Sequence, residues 1–413
     1  MFAALELDDV LCQAVTDMGF STPTSIQQAV IPYAMDGRDI LATAPTGTGK
    51  TAAFLLPAAQ FLLDFPRQQH GACRVLILSP TRELAIQIYE QACAITQHTD
   101  LVCGVITGGI NYGTDKAVLE QNLDILVATP GRLFEHIEKE TFDCRDIEMF
   151  ILDEADRMLD MGFRGIVNQI SAEARWRKQS MLFSATLEGK GISQFAREIL
   201  KNPEFIEANP SRKEKNKTVQ WYHLCDDYAH KYAILKHILT EQIQSAVVFI
   251  KTRERLQQLK DNLAKDGIEV CWLQGEMPQD KRNAAMLRFK HKEINILLAT
   301  DVAARGIDVD NVSHVINFDM PRSADVFLHR IGRTGRAGAK GTAIALVEAH
   351  DFAMLGRVSR YMGEVIKPRN IPGLEPKHRP PKATKKKKKA KGKTVVKKKK
   401  KVGRGPKSPK AKD

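Results

Sequence analysis

Met149-Phe-Ile-Leu-Asp-Glu-Ala-Asp156 is a run of four apolar residues that ends in three carboxylates within four positions. A short apolar run bounded by polar residues is typical of a fully buried strand in a parallel sheet. Carboxylates at the carboxyl end of such a strand lie where open α/β sheets bind ligands. Because these carboxylates repel one another, we expect a bound cation here, and Mg²⁺ held with a nucleotide is the commonest arrangement.

Strand-like apolar runs alternate with helical stretches on both sides of this segment. The alternation predicts an α/β fold, with parallel sheets covered by helices on both faces. A polar, charged segment that contains Pro210 separates two such series and is typical of a linker. The predicted strands are Asp39–Thr43, Val75–Ser79, Val102–Thr107, Ile125–Thr129, Met149–Asp153, Ser180–Phe183 and Phe205–Glu207, then Ala246–Ile250, Glu269–Leu273, Ile294–Thr300, His314–Asp319 and Thr342–Val347.

The length of 413 residues is too great for one hydrophobic core and predicts more than one domain. We assign a first domain to residues 1–207, a linker to 208–217, a second domain to 218–368 and a tail to 369–413. The net charge is +13, but residues 373–413 alone carry +17, so the remainder is slightly acidic. Because the tail is rich in Lys, Gly and Pro and has no apolar face to bury, we expect it to be disordered.

The composition disfavours several classes of protein. No apolar run approaches the length of a membrane span. Acidic Glu6, Asp8 and Asp9 stand where a secretion signal would be basic. Seven cysteines are scattered without a Cys-x-x-Cys pair, which disfavours a disulfide framework and a zinc site. We therefore expect a soluble, cytoplasmic protein with reduced thiols.

Ala44-Pro-Thr-Gly-Thr-Gly-Lys50-Thr51 follows the first predicted strand and precedes a helical run, which is the arrangement of a phosphate-binding P-loop. Its glycines let backbone N–H groups surround phosphates at a helix N-terminus, Lys50 reaches the β- and γ-phosphates, and the Thr51 hydroxyl can hold Mg²⁺. The alternative is an ordinary Gly-rich turn, which the Gly-Lys-Thr sequence disfavours. The predicted nucleotide-binding residues of this loop are Thr46, Gly47, Thr48, Gly49, Lys50 and Thr51.

A P-loop needs an acidic partner on a neighbouring strand to hold the metal, and Asp153 can supply it. Glu154 can then orient or deprotonate the attacking water. Alone, Asp-Glu-Ala-Asp would more often be a strand end that leads into a capped helix. Together with Lys50 and Thr51 it favours catalysis, with Thr51 and Asp153 as the predicted Mg²⁺ ligands.

His329-Arg-Ile-Gly-Arg-Thr-Gly-Arg336 places three arginines in eight residues of the second domain. Phosphoryl transfer needs cations at the γ-phosphate, and arginine fingers provide them. The alternative is a solvated basic loop, which becomes less attractive once a P-loop lies in the other domain. We predict Arg333 and Arg336 as catalytic residues alongside Lys50 and Glu154, in one ATP site formed across a cleft.

The order of these motifs resembles that of the DEAD-box ATP-dependent RNA helicases over nearly the whole of residues 1–368. The resemblance implies two tandem RecA-like domains and an RNA-stimulated ATPase that uses ATP and Mg²⁺ to unwind RNA. The further matching motifs are Thr22-Pro-Thr-Ser-Ile-Gln27, Pro80-Thr-Arg-Glu-Leu-Ala85, Gly108-Gly109, Thr129-Pro-Gly-Arg132, Ser184-Ala-Thr186 and Ala299-Thr-Asp-Val-Ala-Ala-Arg-Gly-Ile-Asp308.

Gln27 can bond the N6/N7 edge of adenine with its amide, and the resemblance implies that it selects ATP over GTP. Thr24-x-x-Gln27 is also the pattern of a capping box at a helix start. Both interpretations can hold together. The resemblance further implies that Phe2 supports the adenine pocket, to which we also assign Phe20, and that Asp308 contacts the ribose.

The resemblance assigns two further groups of residues. Motifs that begin where a strand ends and a helix starts suit contacts to the RNA backbone, although turn and capping chemistry would explain them as well. The residues implied to bind RNA are Pro80, Thr81, Arg82, Gly108, Gly109, Thr129, Pro130, Gly131, Arg132, Gln279, Arg282 and Thr300. Those implied to couple the ATP and RNA sites are Asp156, Ser184, Thr186 and His329, for which the alternative at Ser184 and Thr186 is a polar strand end.

Segments between the shared motifs resemble one bacterial branch of the family, and they imply a role in assembly of the large ribosomal subunit. The partners implied are structured RNA, chiefly ribosomal RNA in pre-ribosomal particles, with ribosomal proteins as further partners and a monomer favoured. The branch-specific segments are Leu63–Arg67, Ala174–Gln179, Phe183–Gly189, Ala208–Ser211 and Leu346–Asp351.

The chain departs from the family at Gln274-Gly275, where His-Gly is usual.

Two other functions remain open from the sequence. An RNA clamp or chaperone would use ATP only to lock onto RNA, but intact Lys50, Glu154 and Arg333 favour a working motor. A DNA motor would unwind duplexes that lack RNA, whereas contacts to the backbone and 2′-OH favour RNA. We interpret the basic tail as a nonspecific RNA tether, with a solvated polybasic end as the alternative.

Overall fold

The computed structural model describes residues 2–44, 47–69, 71–109, 112–185, 190–208, 218–241, 243–304, 312–335 and 340–378. The predictions for Thr46, Thr186, Asp308 and Arg336 lie outside these residues, as do those for most of the linker and for the tail beyond residue 378. Residues 1–379 form one compact unit that contains both predicted α/β domains. Within the described residues, no helix has both the length and the apolarity needed to cross a bilayer.

The first domain opens with a 3-10 helix at Phe2–Leu5 and then alternates strands with helices. Most of its strands run into a helix through a short loop, and these loops carry the motifs identified in the sequence. Its elements are α1 Asp9–Asp17, α2 Ser25–Met35, β1 Ile40–Thr43, α3 Lys50–Asp64, β2 Val75–Leu78, α4 Arg82–Ile95, β3 Cys103–Ile106, α5 Tyr112–Leu119, β4 Ile125–Ala128, α6 Pro130–Glu138, β5 Met149–Leu152, α7 Ala155–Asp160, α8 Arg164–Glu173, β6 Gln179–Ser184, α9 Lys190–Ile199 and β7 Glu204–Glu207.

The second domain repeats this alternation, with a 3-10 helix at Ala349–Asp351 before its last helix. Its elements are β8 Thr218–Leu224, α10 Tyr228–Thr240, β9 Ala246–Ile250, α11 Arg253–Lys265, β10 Cys271–Leu273, α12 Gln279–Lys290, β11 Ile296–Thr300, α13 Asp301–Ala304, β12 His314–Asn317, α14 Ala324–Ile331, β13 Gly341–Val347, α15 Phe352–Met362 and β14 Lys367–Pro368.

Each domain is built on a parallel sheet, which confirms the predicted fold class. Among the described residues, the first sheet has the order β3-β4-β2-β5-β6-β1-β7, and the second has the order β10-β11-β9-β12-β13-β8-β14. The pairs between neighbouring strands are parallel in both sheets. Because parallel strands end at the same edge, the loops that follow them gather along one edge of each sheet.

Helices cover both faces of each sheet, so alternate residues of a strand enter different hydrophobic cores. In β2, Val75 and Ile77 pack into one cluster, while Leu76 and Leu78 pack into the other. Phe54 of α3 and Phe183 of β6 meet in the first cluster with ring centroids 5.1 Å apart. Burial on both faces explains why these strands are continuously apolar in the sequence.

Two strands of the second sheet were not predicted. Thr218–Leu224 contains Gln220 and His223 and does not form a continuous apolar run. It pairs with β13 on one side and with only the two residues of β14 on the other, so part of it lies near the sheet edge. Its polar residues are consistent with that position, and the pairing itself depends on residues more than 100 positions away.

Residues 369–378, which we assigned to the tail from the sequence, belong to the compact unit of residues 1–379. Residues 369–378 pack against the second domain: the Arg369 guanidinium lies 3.9 Å from the centroid of the Trp221 ring, and Ile371 is buried. The Asp226 carboxylate accepts hydrogen bonds from the backbone N–H of Lys377 at 2.8 Å and of His378 at 3.0 Å. The Pro, Gly and Lys content of this segment resembles that of the tail. The sequence therefore gives no indication that the segment packs against the second domain.

Candidate active site

The sheet order of the first domain places the nucleotide motifs side by side. β1, which precedes the P-loop, pairs with β6 so that Thr43 lies opposite Ser184. β6 in turn pairs with β5, so that Leu152 lies opposite Leu182. The P-loop, Ser184 and Asp153 therefore follow three adjacent strands at one edge, although they are far apart in the sequence.

The P-loop backbone takes conformations that favour glycine. Gly47 and Gly49 have φ values of 80° and 90°, a region that side chains with a Cβ rarely occupy. A Cβ on Gly49 would also lie 2.5 Å from Nε2 of Gln27, so the Gln27 amide would have to move away from the P-loop. Gly49 precedes the first residue of α3, so the backbone turns into the helix directly before Lys50.

Lys50 is buried at the N-terminus of α3. Among the residues that the structure describes, no hydrogen-bond partner lies within reach of its Nζ atom. A buried, unpaired ammonium group is unfavourable unless an anion occupies the site in the functional state. Together with the positive end of the helix dipole, this ammonium group fits a bound phosphate.

Asp153 is a buried carboxylate at the end of β5, and its Oδ1 accepts a hydrogen bond of 2.9 Å from the Glu154 N–H. Burial raises the pKa of Asp153 to about 6, with a further contribution from Glu154 and an opposing one from Lys50. No cluster of three or more His, Cys, Asp or Glu side chains arranged for a metal occurs in the described part of the chain. A lone carboxylate fits Mg²⁺, which in nucleotide sites takes one or two carboxylates together with phosphates and waters.

Glu154 is held by an arginine that the sequence reasoning did not single out. Nη1 of Arg157 donates a hydrogen bond to Oε2 of Glu154, and each of the two side chains is 7% exposed. Burial favours the neutral acid, but Arg157 and the more distant cations outweigh this effect and lower the pKa of Glu154 to about 2. The carboxylate is therefore ionised at neutral pH and can accept a hydrogen bond from the attacking water.

The second domain brings cations to the same cleft. The cleft is lined from the first domain by Asp156, Arg157 and Asp160, and from the second by Phe249, Asp301, Val326, His329, Arg330 and Arg333. Arg333 is buried and close enough to Glu154 to help lower the pKa of its carboxyl group. Residues from both predicted halves of the ATP site thus lie at or near one cleft in the described structure.

Arg330 has a structural function. It donates hydrogen bonds of 2.6 and 2.8 Å to the two carboxylate oxygens of Asp301. It also donates to Oδ1 of Asn317 at 2.8 Å and to the carbonyl oxygen of Asp319 at 2.7 Å. A guanidinium used in this way ties the loops after β11 and β12 to α14, which fixes the position of His329 and Arg333.

The predicted coupling residues lie together beside the cleft. Ser184 hydrogen-bonds the carboxylate of Asp156, whose pKa is raised chiefly by burial. Nε2 of His329 lies 3.9 Å from Oδ2 of Asp156, which is too long for a hydrogen bond. Burial, followed by the charge of Arg157, lowers the pKa of His329 to about 3, so its imidazole is neutral. These three side chains therefore form a buried polar group between the domains.

The motifs implied to bind RNA follow β2, β3 and β4, on the other half of the same sheet edge. The Thr129 hydroxyl accepts a hydrogen bond of 3.3 Å from the Gly108 N–H, which joins two of these motifs. Gly109 has a φ value of 77°, and a Cβ there would lie 2.0 Å from Nη1 of Arg82. Arg82 thus packs flat against a glycine backbone at the edge of the sheet.

Thr81 shows the capping chemistry that the sequence left open. Its hydroxyl accepts a hydrogen bond of 3.4 Å from the Leu84 N–H at the start of α4. Pro130 occupies the first turn of α6, followed by Gly131, and Pro80 lies buried just after β2. Capping does not conflict with RNA contact, because a helix N-terminus presents backbone N–H groups to phosphates.

Arg132 is engaged by two carboxylates. Its Nε donates to Oδ2 of Asp115 at 2.5 Å, and its Nη1 donates to Oε2 of Glu135 at 2.7 Å. Asp115 is itself buried and lies 3.3 Å from Nε2 of the buried His136. Much of the hydrogen-bonding capacity of Arg132 is therefore used within the first domain.

Two contacts cross between the domains on the side of the RNA motifs. Nε of Arg282 lies 2.6 Å from Oε1 of Glu83, and both side chains are largely buried. Nη1 of Arg82 donates to Oε1 of Gln279 at 3.4 Å. Arg282 also donates to the carbonyl oxygen of Ala303 at 2.8 Å, just beyond the buried Thr300. Predicted RNA-binding residues of the two domains are thus brought together, and Glu83 joins them as a residue that the sequence did not single out.

Gln27 contacts the P-loop directly. Its Nε2 donates to the carbonyl oxygen of Gly49 at 3.1 Å, and its Oε1 accepts from the Thr24 N–H at 2.9 Å. Its amide therefore links the start of α2 to the phosphate-binding loop. Of the two aromatic residues assigned to the adenine pocket, Phe2 is buried in the core of the first domain and Phe20 is 44% exposed.

Comparison with known proteins agrees with this arrangement. The DEAD/DEAH box helicase family model matches residues 24–195, and the helicase conserved C-terminal domain model matches residues 230–338. The chain is 56% identical to the ATP-dependent RNA helicase SrmB of Escherichia coli, over 92% of this chain and 86% of that protein. It is 37% identical to the ATP-dependent rRNA helicase rrp3 of Neosartorya fischeri, over 89% of this chain and 77% of that protein.

A solved structure shows the same fold. The structure of S. cerevisiae Dbp5 bound to RNA and ADP BeF3 matches with a TM-score of 0.77 and 29% sequence identity, over 89% of this chain and 95% of that one. The identity to SrmB confirms the predicted resemblance to a bacterial branch. On these grounds the chain belongs to the DEAD-box family of ATP-dependent RNA helicases, whose ATPase activity is stimulated by RNA.

Proposed function

We propose that this helicase separates short RNA duplexes locally by closing its two domains on one strand, and that its natural substrate is ribosomal RNA during assembly of the large subunit. One observation supports the closing mechanism above others. Residues of both domains, among them Arg157 and Arg333, line the nucleotide cleft, and residues of both domains meet again on the RNA side through Glu83 and Arg282. ATP and RNA can therefore both favour the same closed arrangement.

The residues of the nucleotide cleft divide the work of hydrolysis. Lys50 would bind the terminal phosphates, and Thr51 and Asp153 would hold Mg²⁺, which when bound neutralises charge on the phosphates. Glu154 would orient the attacking water. Arg333, with Arg336 of the same motif, would stabilise negative charge that develops on the transferred phosphoryl group. Because Arg333 belongs to the second domain, hydrolysis would depend on domain closure.

The RNA side would read shape rather than sequence. Helix N-termini after β2 and β4 present backbone N–H groups, and Arg82 and Arg282 add positive charge. Such contacts reach phosphates and 2′-OH groups but not base edges, so binding would not depend on sequence. Closure would bend the bound strand and separate a short duplex, and reopening after hydrolysis would release it.

The proposal of a ribosomal RNA substrate draws support from the relatives. One relative is named an rRNA helicase, and the chain shares 56% identity with SrmB, whose branch the loop segments resemble. Pre-ribosomal particles, ribosomal proteins, a cytoplasmic location and a monomeric state belong to the same proposal. The basic tail would add nonspecific affinity for long RNA, and this contribution would fade as salt concentration rises.

A strand-displacement assay tests local unwinding. A short RNA duplex with a single-stranded overhang should be separated when ATP is present. With a non-hydrolysable analogue, the protein should not catalyse repeated rounds of strand separation. Replacing the 2′-OH groups of the bound strand by hydrogen should reduce the activity. Tight ATP-dependent binding without separation would instead favour the RNA clamp.

For the natural substrate, crosslinking in cells with the Glu154→Gln variant should recover ribosomal RNA, and recovery of mostly other RNA would contradict that proposal.

Gln27→Ala should weaken ATP binding about tenfold and reduce the preference for ATP over GTP. The substitution removes the hydrogen bonds to Gly49 and Thr24, and it also removes the amide that can pair with adenine. Nucleotide affinities for ATP and GTP measure both effects. Gln28→Ala is a matched control, because Gln28 is exposed on the same helix and donates a hydrogen bond to the Pro23 carbonyl oxygen instead of to the P-loop. Equal losses for ATP and GTP would leave Gln27 with only its role in shaping the P-loop.

Glu83→Arg should lower RNA-stimulated ATPase activity about tenfold by placing two cations at the domain interface. The swapped pair Glu83→Arg with Arg282→Glu should recover part of this loss, because opposite charges again face each other at the site where the wild-type side chains form an ion pair. Steady-state ATPase rates at saturating RNA give the comparison. Glu198→Arg changes a more exposed ion pair within the first domain and serves as the control. A swapped pair that is no better than either single variant would contradict a role for this contact in closure.

A further inference from the structure

Arg157 lies one helical turn after Glu154, on the short helix α7. The two side chains form a buried ion pair, each with 7% exposure. Arg157 lines the interdomain cleft together with His329 and Arg333 of the second domain. Its hydrogen bond, however, goes to Glu154 of its own domain. The pair is therefore local in sequence but buried at the point where the domains meet.

The backbone at Glu154 is also unusual. Its φ and ψ values are 52° and 50°, in the left-handed region that non-glycine residues rarely occupy. Strained backbone of this kind persists only where surrounding contacts fix it, and it is concentrated at functional sites. Here the adjacent Asp153 carboxylate accepts the Glu154 N–H, and Arg157 holds the side chain. The backbone and the carboxylate of Glu154 are thus fixed separately.

The cations of the described residues that act on the carboxylate of Glu154 are not equivalent. Lys50 and Arg333 influence it through space, whereas Arg157 donates a hydrogen bond to it. Without Arg157 the carboxylate could turn toward Lys50, whose Nζ atom has no hydrogen-bond partner among the described residues. Such a turn would move the carboxylate away from the water and toward the phosphate site. A single orientation of Glu154 therefore requires a dedicated partner.

We propose that Arg157 is a positioning residue for hydrolysis, which fixes the orientation of the Glu154 carboxylate by an ion pair between α7 and the residue that precedes it. This inference rests on the proposed role of Glu154 in orienting water. Arg157 would act through Glu154 and would affect the chemical step more than the binding of nucleotide or RNA. Its guanidinium fits this task better than an ammonium group, because a planar fork restricts the direction of the carboxylate.

The test compares Arg157→Gln and Arg157→Lys with wild-type protein in RNA-stimulated ATPase assays. Arg157→Gln should lower kcat about 10- to 100-fold, as expected for a misplaced reacting group, with KM for ATP and the affinity for RNA changed less than about threefold. Arg157→Lys should restore part of kcat. Arg164→Gln, which alters the more exposed pair with Glu198 at the start of α8, should leave kcat unchanged.

A double-mutant cycle separates positioning from general damage. If Arg157 acts through Glu154, the variant that carries both Arg157→Gln and Glu154→Gln should be no slower than Glu154→Gln alone. Additive losses, or equal losses of kcat and of nucleotide-binding stoichiometry with no rescue by lysine, would overturn the proposal. Failure of the proposed function would appear differently, as fast turnover in Glu154→Gln itself.

Discussion

Lys50→Ala is expected to lower ATP turnover at least about 100-fold, the usual scale for removing one preorganised group at a charged transition state. The ammonium group of Lys50 is buried at the N-terminus of α3 and has no hydrogen-bond partner among the described residues. Its proposed partner is the phosphate chain of ATP, so the variant should also lose most nucleotide affinity. Steady-state ATPase assays and equilibrium nucleotide binding measure the two effects.

The same geometry predicts that Lys50→Ala does not destabilise the nucleotide-free protein. Removing a buried ammonium group that has no hydrogen-bond partner relieves a desolvation cost, which offsets the loss of its attraction to Asp153, so the Tm without nucleotide should change little. ATP should then raise the Tm of the wild-type protein but not that of the variant. Lys116→Ala, on the exposed face of α5, is the matched control and should behave like wild type. Normal ATPase activity in Lys50→Ala would contradict the P-loop assignment.

The fold could be predicted because its determinants are local in the sequence. Buried parallel strands such as Val75–Leu78 are continuously apolar, and the motif loops follow them directly. Thr218–Leu224 and residues 369–378 escaped prediction because tertiary contacts, rather than composition, define them. A strand that is stabilised by partners more than 100 residues away carries little pattern of its own.

The candidate site divides in a similar way. Lys50, Asp153 and Glu154 could be identified as candidate site residues because each belongs to a short motif whose residue types indicate its chemistry. The pairing of Glu154 with Arg157 could have been suspected from the i, i+3 spacing on a helix, but its burial could not. Arg330 shows the opposite case: it lies in an arginine-rich motif, yet it is used to bind Asp301 and Asn317. Sequence alone does not tell which arginine of a cluster reaches the ligand.

Glu154→Gln is expected to reduce hydrolysis about 100- to 1,000-fold while ATP and RNA remain bound, a loss within the range attributed to a positioned acid–base or water-orienting group. Glutamine keeps the shape of the side chain but loses the charge that Arg157 and the nearby cations hold in an ionised state. The neutral amide would align water poorly and would pair weakly with Arg157. Single-turnover hydrolysis and the lifetime of the RNA complex with ATP measure the two parts of the prediction.

The lifetime of the complex is the more discriminating measurement. If hydrolysis reopens the cleft, an ATP-bound Glu154→Gln protein should release RNA much more slowly than wild type, because the substitution leaves the cleft-lining residues of both domains, such as Arg157 and Arg333, in place. Glu120→Gln, which alters an exposed side chain just after α5, should release RNA at the wild-type rate. Fast turnover in Glu154→Gln would remove Glu154 as the residue that orients water. Slow turnover with rapid RNA release would keep Glu154 as the residue that orients water, but it would show that the cleft opens without hydrolysis. Closure of the cleft would then depend on contacts such as that between Glu83 and Arg282 rather than on the nucleotide.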